Sequence, residues 1–391
     1  MLPDAMSRDA RYAELEAMLA PAAGGVFVIS TGLRQTRALQ RTLYGAASDD
    51  EVIPRWHAAL RRIPEARVAI LGVPSDCGAG FTRGANKAPA VLRQTLLDHP
   101  DHPVFDPGQD PGRVIDVGDV RVVPHLLSDE MVSEPQRAAT RAALYGDPDR
   151  DLPVSPLDLC ARTLDHLYAL NPGIVPVVIG GDHSVGWPAF ARALAHAEGA
   201  RGLRVGLLHF DAHTDLLAER LGVRYCFATW AYHANELLGR DGRLVQVGIR
   251  ASGRDREHWE STLGVRQYWP DEIAARPFDD ITAEIIARFQ QLGVDAVYVS
   301  NDIDGTDIEF AAATGTPESN GLSVEMVSNL TRAVTAAFPL VGGDLVEVAP
   351  PLAGDRPGEP ERTLETARVY LGDLIRAGLD RGQSLDTGIS K

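Results

Sequence analysis

Six side chains in three short motifs are the residues of this chain whose types and spacing could do chemistry. They are His183 in Gly180-Gly181-Asp182-His183-Ser184, then Asp211, His213 and Asp215 in Asp211-Ala212-His213-Thr214-Asp215, then Asp302 and Asp304 in Asp302-Ile303-Asp304. Four carboxylates and two imidazoles form an oxygen-rich donor set without thiolate. That set suits Mn²⁺ or Ni²⁺, with Co²⁺ and Zn²⁺ also compatible, and argues against structural zinc and iron–sulfur sites. Clustered carboxylates repel and could not all stay ionised without cations. Two divalent ions would neutralise them and would lower the pKa of a shared water from about 15.7 toward ~7, giving a nucleophile at neutral pH. Each motif alone has an ordinary reading. The aspartates after residue 210 could cap a helix, strand-end Asp residues are common, and His183 could sit in a tight turn. Their conjunction, each motif following its own apolar run, points to a pair of metal ions.

The elements that must position these residues are legible as apolar runs. Val175–Ile179, Val205–Phe210 and Ala296–Ser300 precede the three motifs. Val68–Val73, Val114–Val117, Leu244–Ile249 and Leu340–Val348 are similar, and Val265–Trp269 is a weaker candidate. Helical stretches fall between most of them, at Pro89–Leu97, Leu157–Leu170, Pro188–Ala197, Thr282–Leu292 and Ser323–Ala337. Strands alternating with helices predict an α/β fold with a parallel sheet covered on both faces. Ligands of such sheets bind beyond the carboxyl ends of the strands, where all three motifs fall. The alternation begins at Arg67. Residues 1–65 read as an N-terminal extension, with helical spacing at Asp9–Leu19 and Glu51–Arg62 and an apolar run at Val26–Ser30; residues 66–391 read as one catalytic domain. His99–Gly112 and Ala349–Glu361 read as surface loops, and Glu130–Pro153 as a polar excursion.

With 391 residues, 45% of them hydrophobic, the chain can bury a large core. A formal net charge of −16 disfavours nucleic acid and anionic membrane surfaces and suits a small cationic substrate. Cys77, Cys160 and Cys226 are isolated and odd in number, so neither a disulfide framework nor a CxxC site is expected. That usage fits a cytoplasmic protein, and the N-terminus lacks the apolar run of a signal peptide or membrane span.

The motifs GGDHS, HFDAHTD, SNDIDGTD and GGDLVEVAP, in that order, resemble the ureohydrolase superfamily of arginases and agmatinases over roughly residues 67–375. The resemblance implies a three-layer α/β/α domain around a mostly parallel sheet of about eight strands, assembled as a homo-oligomer, trimer or hexamer. By position it implies that His183, Asp211, Asp215 and Asp302 hold one ion and His213, Asp211, Asp302 and Asp304 the other, with Asp211 and Asp302 bridging. Asp304 and Glu347 then count as catalytic, Glu347 holding a guanidinium by paired charged hydrogen bonds. Asp182 is expected to orient a ligand. The implied reaction is hydrolysis of a guanidino group to urea and an amine through a metal-bridging hydroxide.

The chain departs from the family in the loop after DAHTD, where Phe227 stands in place of a histidine thought to pass a proton to the leaving amine. His233, six residues on, is a candidate substitute, its ordinary alternative being a surface or core histidine. Phe227 and Trp230, if they face the pocket, would shrink it, and Asn301 beside Asp302 is a further candidate substrate contact. The loop after Asp307 lacks the prolines and a glycine usual in the family, so its path is open. These departures favour a small substrate. Free guanidine, giving urea and ammonia, is the first expectation, because relatives with a long N-terminal extension hydrolyse it and use nickel. Agmatine or guanidinobutyrate is the alternative. A formiminoglutamase-like hydrolase, a histone-deacetylase-like amidohydrolase and a non-catalytic relative are the readings from further afield.

Overall fold

Apolar runs without alternating polar residues are what a strand covered on both faces requires, and such runs build the centre of this molecule. The structure, a computed structural model, describes residues 6–26, 31–80, 82–99 and 113–380. The expected run at 26–30 and the expected loop at 99–112 lie mostly outside these residues. Nine strands form one sheet: β1 (Leu19–Ala20), β2 (Val68–Gly72), β3 (Val114–Val120), β4 (Val175–Ile179), β5 (Val205–Phe210), β6 (Leu244–Val247), β7 (Arg266–Tyr268), β8 (Ala296–Asp302) and β9 (Leu340–Val346). Their order is β1-β3-β2-β4-β9-β8-β5-β6-β7, parallel throughout except for β1 against β3.

Period-2 alternation divides the buried residues between two apolar layers. In β2, Ala69 and Leu71 pack on one face with Leu164 and Phe190 of the helices Pro156–Leu170 and Gly186–Leu194. Val68 and Ile70 pack on the other with Leu92, Val327 and Leu371 of Ala88–Asp98, Val324–Ala337 and Glu361–Leu379. The fold is therefore the expected three-layer α/β/α sandwich. The motif-bearing strands β4, β8 and β5, with β9 between β4 and β8, are contiguous at its middle.

Among the described residues the sheet holds nine strands, in keeping with the expected mostly parallel sheet of about eight; β1, too short to register as a pattern, adds itself antiparallel to β3 through Leu19↔Val120 and Ala20↔Asp119. One expectation changes. The polar run 130–153 carries a helix, Glu134–Tyr145. Pro135 in its first turn and Gly146 at φ 75° supply a start and a stop that outweigh the polar composition.

The described part of residues 1–65 shares the main core. Leu15, Met18, Trp56 and Leu60 belong to the same apolar layer as β2 and β3. The Trp56 indole donates to the Val117 carbonyl at 3.0 Å, and Glu14 meets His166 at 2.7 Å and Arg162 at 3.0 Å. Trp56→Ala is expected to cost about 3–5 kcal/mol of stability, the range for emptying a buried aromatic site; urea unfolding followed by far-UV circular dichroism measures it.

Candidate metal centre

His183 lies one turn beyond β4, Asp211, His213 and Asp215 just beyond β5, and Asp302 and Asp304 at the end of β8 and in the turn after it. Neighbouring strand ends thus bring residues far apart in sequence onto one spot. His183 Nδ1 lies 3.1 Å from Asp302 Oδ2, 3.3 Å from Asp215 Oδ2 and 3.4 Å from Asp211 Oδ2. It nevertheless makes no hydrogen bond, although it is buried. His213 Nδ1 lies 3.1 Å from Asp304 Oδ2 and 3.3 Å from Asp211 Oδ1. The two oxygens of Asp211 therefore face different histidines, as a bridging carboxylate requires. Donor atoms bound to one ion at about 2.1 Å and right angles to each other lie ~3 Å apart, so two groups of this spacing fit divalent ions.

The candidate ligands are held from behind. His183 Nε2 lies 2.9 Å from Ser300 Oγ, and Ser300 in turn donates to Asp344 Oδ1 at 2.8 Å. Ser300 spends its proton on the carboxylate, so it accepts from His183 Nε2–H, which leaves the Nδ1 lone pair facing the aspartates. Asp211 Oδ1 accepts the His213 backbone N–H at 2.6 Å, Asp302 Oδ1 that of Asp304 at 2.9 Å, and Asp304 Oδ2 the Thr316 hydroxyl at 2.8 Å. Asp182 accepts from the backbone N–H of Gly78 and of Ser184, each at 2.9 Å, which fixes the turn carrying His183. Gly181 permits that turn: a Cβ there would lie 1.8 Å from the Ser75 carbonyl oxygen. Glu347, just past β9 at φ 62°, accepts the His183 backbone N–H on Oε1 at 2.9 Å.

The model of the arginase family matches residues 66–371. The chain belongs to the arginase family. Among relatives, the guanidinobutyrase of Pseudomonas aeruginosa is 31% identical over 291 residues, covering 72% of this chain and 79% of that one. The mitochondrial agmatinase of Gallus gallus is 31% identical over 290 residues, covering 72% and 74%. The solved structure of proclavaminate amidino hydrolase from Streptomyces clavuligerus aligns with TM-score 0.59 at 26% identity, covering 81% of this chain and 93% of that one.

In this arginase-family hydrolase, the expected second-ring contacts fall differently from the ligands. Trp230 is fully buried, so it does not line a pocket. Its indole N–H donates to Asp215 Oδ2 at 3.0 Å and its ring stacks on His183 at 4.5 Å between centroids. It braces two of the candidate ligands, Asp215 and His183. Asn301 points away from Ser300 and Asp302, because successive strand residues face opposite sides; its neighbours in register, Phe210 and Leu345, belong to the other apolar layer. His233 is also not brought to the ligands. Its Nε2 lies 3.0 Å from the Arg224 carbonyl oxygen and its ring packs against Trp187, Tyr225 and Tyr232. Phe227 reaches a cleft of about 930 Å³, where it lies with Gly78, Gly80, Arg83, Arg220 and Cys226. The Arg220 guanidinium stands 4.9 Å from its ring centre.

Sequence reading missed His209, Ser300, Asp344, Thr316 and Arg250. Arg250 donates to the carbonyls of Asp304 at 2.7 Å, Glu318 at 3.0 Å and Ser319 at 3.0 Å, pinning the loop after Asp307 to the ligand turn. His209 and Ser300 carried a signal, since each stands two residues before a ligand and so shares its face of the strand.

Charge inside the cluster is large. Burial opposes protonation of His213, but Asp304 and Asp211 outweigh it and hold the ring up at about 12. Burial likewise opposes protonation of His183, while Asp211, Asp215 and Asp302 push it well above its ordinary value. Burial, Asp304 and Asp211 together raise Asp302. The metal-free protein therefore retains protons that divalent cations must displace. Adding Mn²⁺ at pH 8 to the metal-free protein is expected to release protons, seen as a binding enthalpy that changes with the buffer's ionisation enthalpy. Trp230→Phe, which keeps the ring and removes the N–H, is expected to weaken metal binding about 10–100-fold, measured by competition with a chelating dye. His233→Ala is expected to leave kcat and KM unchanged.

Proposed function

We propose that this chain hydrolyses a small guanidino compound to urea and ammonia or an amine, with free guanidine the first candidate. The observation that carries the reading is Glu347. One carboxylate oxygen is committed to the His183 backbone N–H at 2.9 Å. The other lies on the side of Gly315, 3.8 Å from where a Cβ on that glycine would stand, with no protein donor bonded to it among the described residues. Burial and Asp182 push the Glu347 carboxyl well above its ordinary range. A planar cation with paired N–H donors would restore its charge and receive a charge-assisted bond.

Two divalent ions held by the six ligands would supply a hydroxide nucleophile at neutral pH and offset the carboxylate charge; Mn²⁺ and Ni²⁺ both suit the donors. The chain's own part is positional. Glu347 orients the guanidinium, and Thr316 and the His213 backbone N–H fix the carboxylates of Asp304 and Asp211. With His233 turned away and Phe227 at the cleft, His125 is the histidine that lines the cleft, and no contact among the described residues joins it to the candidate ligands or to Glu347. Ammonia, the leaving group from guanidine, makes the least demand for one.

The cleft adjoins the Gly78 loop that Asp182 holds. Arg83 and Arg220 line it, and a substrate tail extending into it would meet two guanidinium groups, which oppose the ammonium tail of agmatine. They accept a substrate with no tail, or one ending in a carboxylate. A guanidino acid is therefore the second reading, favoured by those two arginines and by the similarity to a guanidinobutyrase. Urea release from guanidine, guanidinobutyrate and agmatine by the Mn²⁺- or Ni²⁺-loaded protein separates the readings. Guanidine is expected to turn over fastest and agmatine slowest; fastest turnover of agmatine overturns both. Glu347→Gln is expected to lower kcat/KM about 10–100-fold, the value of one hydrogen bond to a charged group, with metal content unchanged.

Assembly as a homo-oligomer with residues 1–65 as a contact arm, and a cytoplasmic location, complete the reading. Exposed Ile53 in the helix Val52–Arg61 supports a contact there. No helix among the described residues is long and apolar enough to cross a membrane.

A further inference from the structure

A row of polar side chains crosses the apolar sheet on the side of β5 away from the substrate carboxylate. His209, Gln246 and Gln267 are direct register neighbours on β5, β6 and β7. All three are fully buried. They form one chain of hydrogen bonds. Trp269 Nε1 donates to Gln267 Oε1 at 2.9 Å, and Gln267 Nε2 donates to Gln246 Oε1 at 2.8 Å. Gln246 Nε2 lies 2.9 Å from His209 Nδ1 and donates to the Thr214 carbonyl at 2.7 Å. His209 Nε2 lies 2.9 Å from Asp211 Oδ2.

The direction of the chain is set by its outer end. An indole N–H can only donate. It therefore fixes Gln267 with its oxygen outward and its amide N–H₂ inward, which fixes Gln246 in the same sense, and the Thr214 carbonyl reinforces that orientation. His209 Nδ1 must then accept, so its proton sits on Nε2 and points at Asp211. His209, His183, Asp211 and Asp215 stand close enough to share one ion, but a protonated Nε2 cannot be a ligand. His209 is a donor to a ligand.

We propose that Trp269, Gln267, Gln246 and His209 form a one-way hydrogen-bond relay that positions the bridging carboxylate Asp211 and excludes His209 from the metals. Its outer end is an indole at the rim of the molecule, in a hollow with Asp255, Arg256 and Glu260. Metal affinity is thereby set in part by a residue just past β7, two strands away from the β5 end that carries Asp211. The relay serves as a set of positioning residues, and it rests on the reading of the six ligands as a metal centre.

Trp269→Phe keeps the ring and deletes the donor that sets the direction. Gln267→Met keeps about the volume and removes both the acceptor for Trp269 and the donor to Gln246. Each is expected to weaken Mn²⁺ binding about tenfold, by calorimetry, and to change the visible spectrum of the Co²⁺-loaded protein. In a His209→Phe background, adding Trp269→Phe is expected to give no further loss, because the relay acts only through His209; a general packing defect would add to it instead. Parent-like affinity in both single variants, or additive losses in the double variant, would overturn the relay while leaving the metal centre intact. A parent protein that binds no divalent ion would overturn both.

Discussion

Four buried carboxylates converge at the carboxyl ends of adjacent strands, and the rest of the site follows from their mutual repulsion. Left to themselves they could not all ionise, and burial without compensation would be costly for the fold. The directions of the pKa displacements express this conflict: Asp302 is driven up by burial and by its neighbours Asp304 and Asp211, while the carboxylates around His183 and His213 drive those rings to hold protons. Divalent cations would resolve the conflict and give the cluster a chemical use.

The sheet makes this convergence possible by its strand order. β4, β9, β8 and β5 lie side by side at the middle, although they come from four separated parts of the chain. Parallel strands present all their carboxyl ends to one edge, so ligands from β4, β8 and β5 meet there and β9 adds Glu347 between them. Three of the six candidate ligands are then braced by groups that the donor count alone would not demand. Ser300 and Asp344 fix the His183 tautomer, Trp230 holds Asp215, and Thr316 holds Asp304. Arg250 ties the substrate-side loop to the same turn.

The clustering of the six candidate ligands was legible because each motif is contiguous in sequence and follows an apolar run that reads as a buried strand. The layers of the fold were legible for the same reason. Residues whose roles depend on a contact across the fold were not. Trp230 reads as bulky and apolar, and nothing in its local sequence says that its N–H reaches back to Asp215. Asn301 could have been set aside from alternation alone, since it stands one residue from Asp302 and therefore on the opposite face. Gln246, a polar residue inside the otherwise apolar β6, carried a signal of the same kind. β1 left no pattern because two residues show no period, and its pairing depends on the edge that β3 offers.

The central claim is that these side chains hold a pair of ions. Metal analysis of the protein loaded with excess Mn²⁺ and freed of unbound ion by gel filtration tests it most directly. The account predicts two ions per chain in the parent protein and loss of at least one in Asp302→Ala. A folded parent chain that retains a single ion, or none, would contradict it.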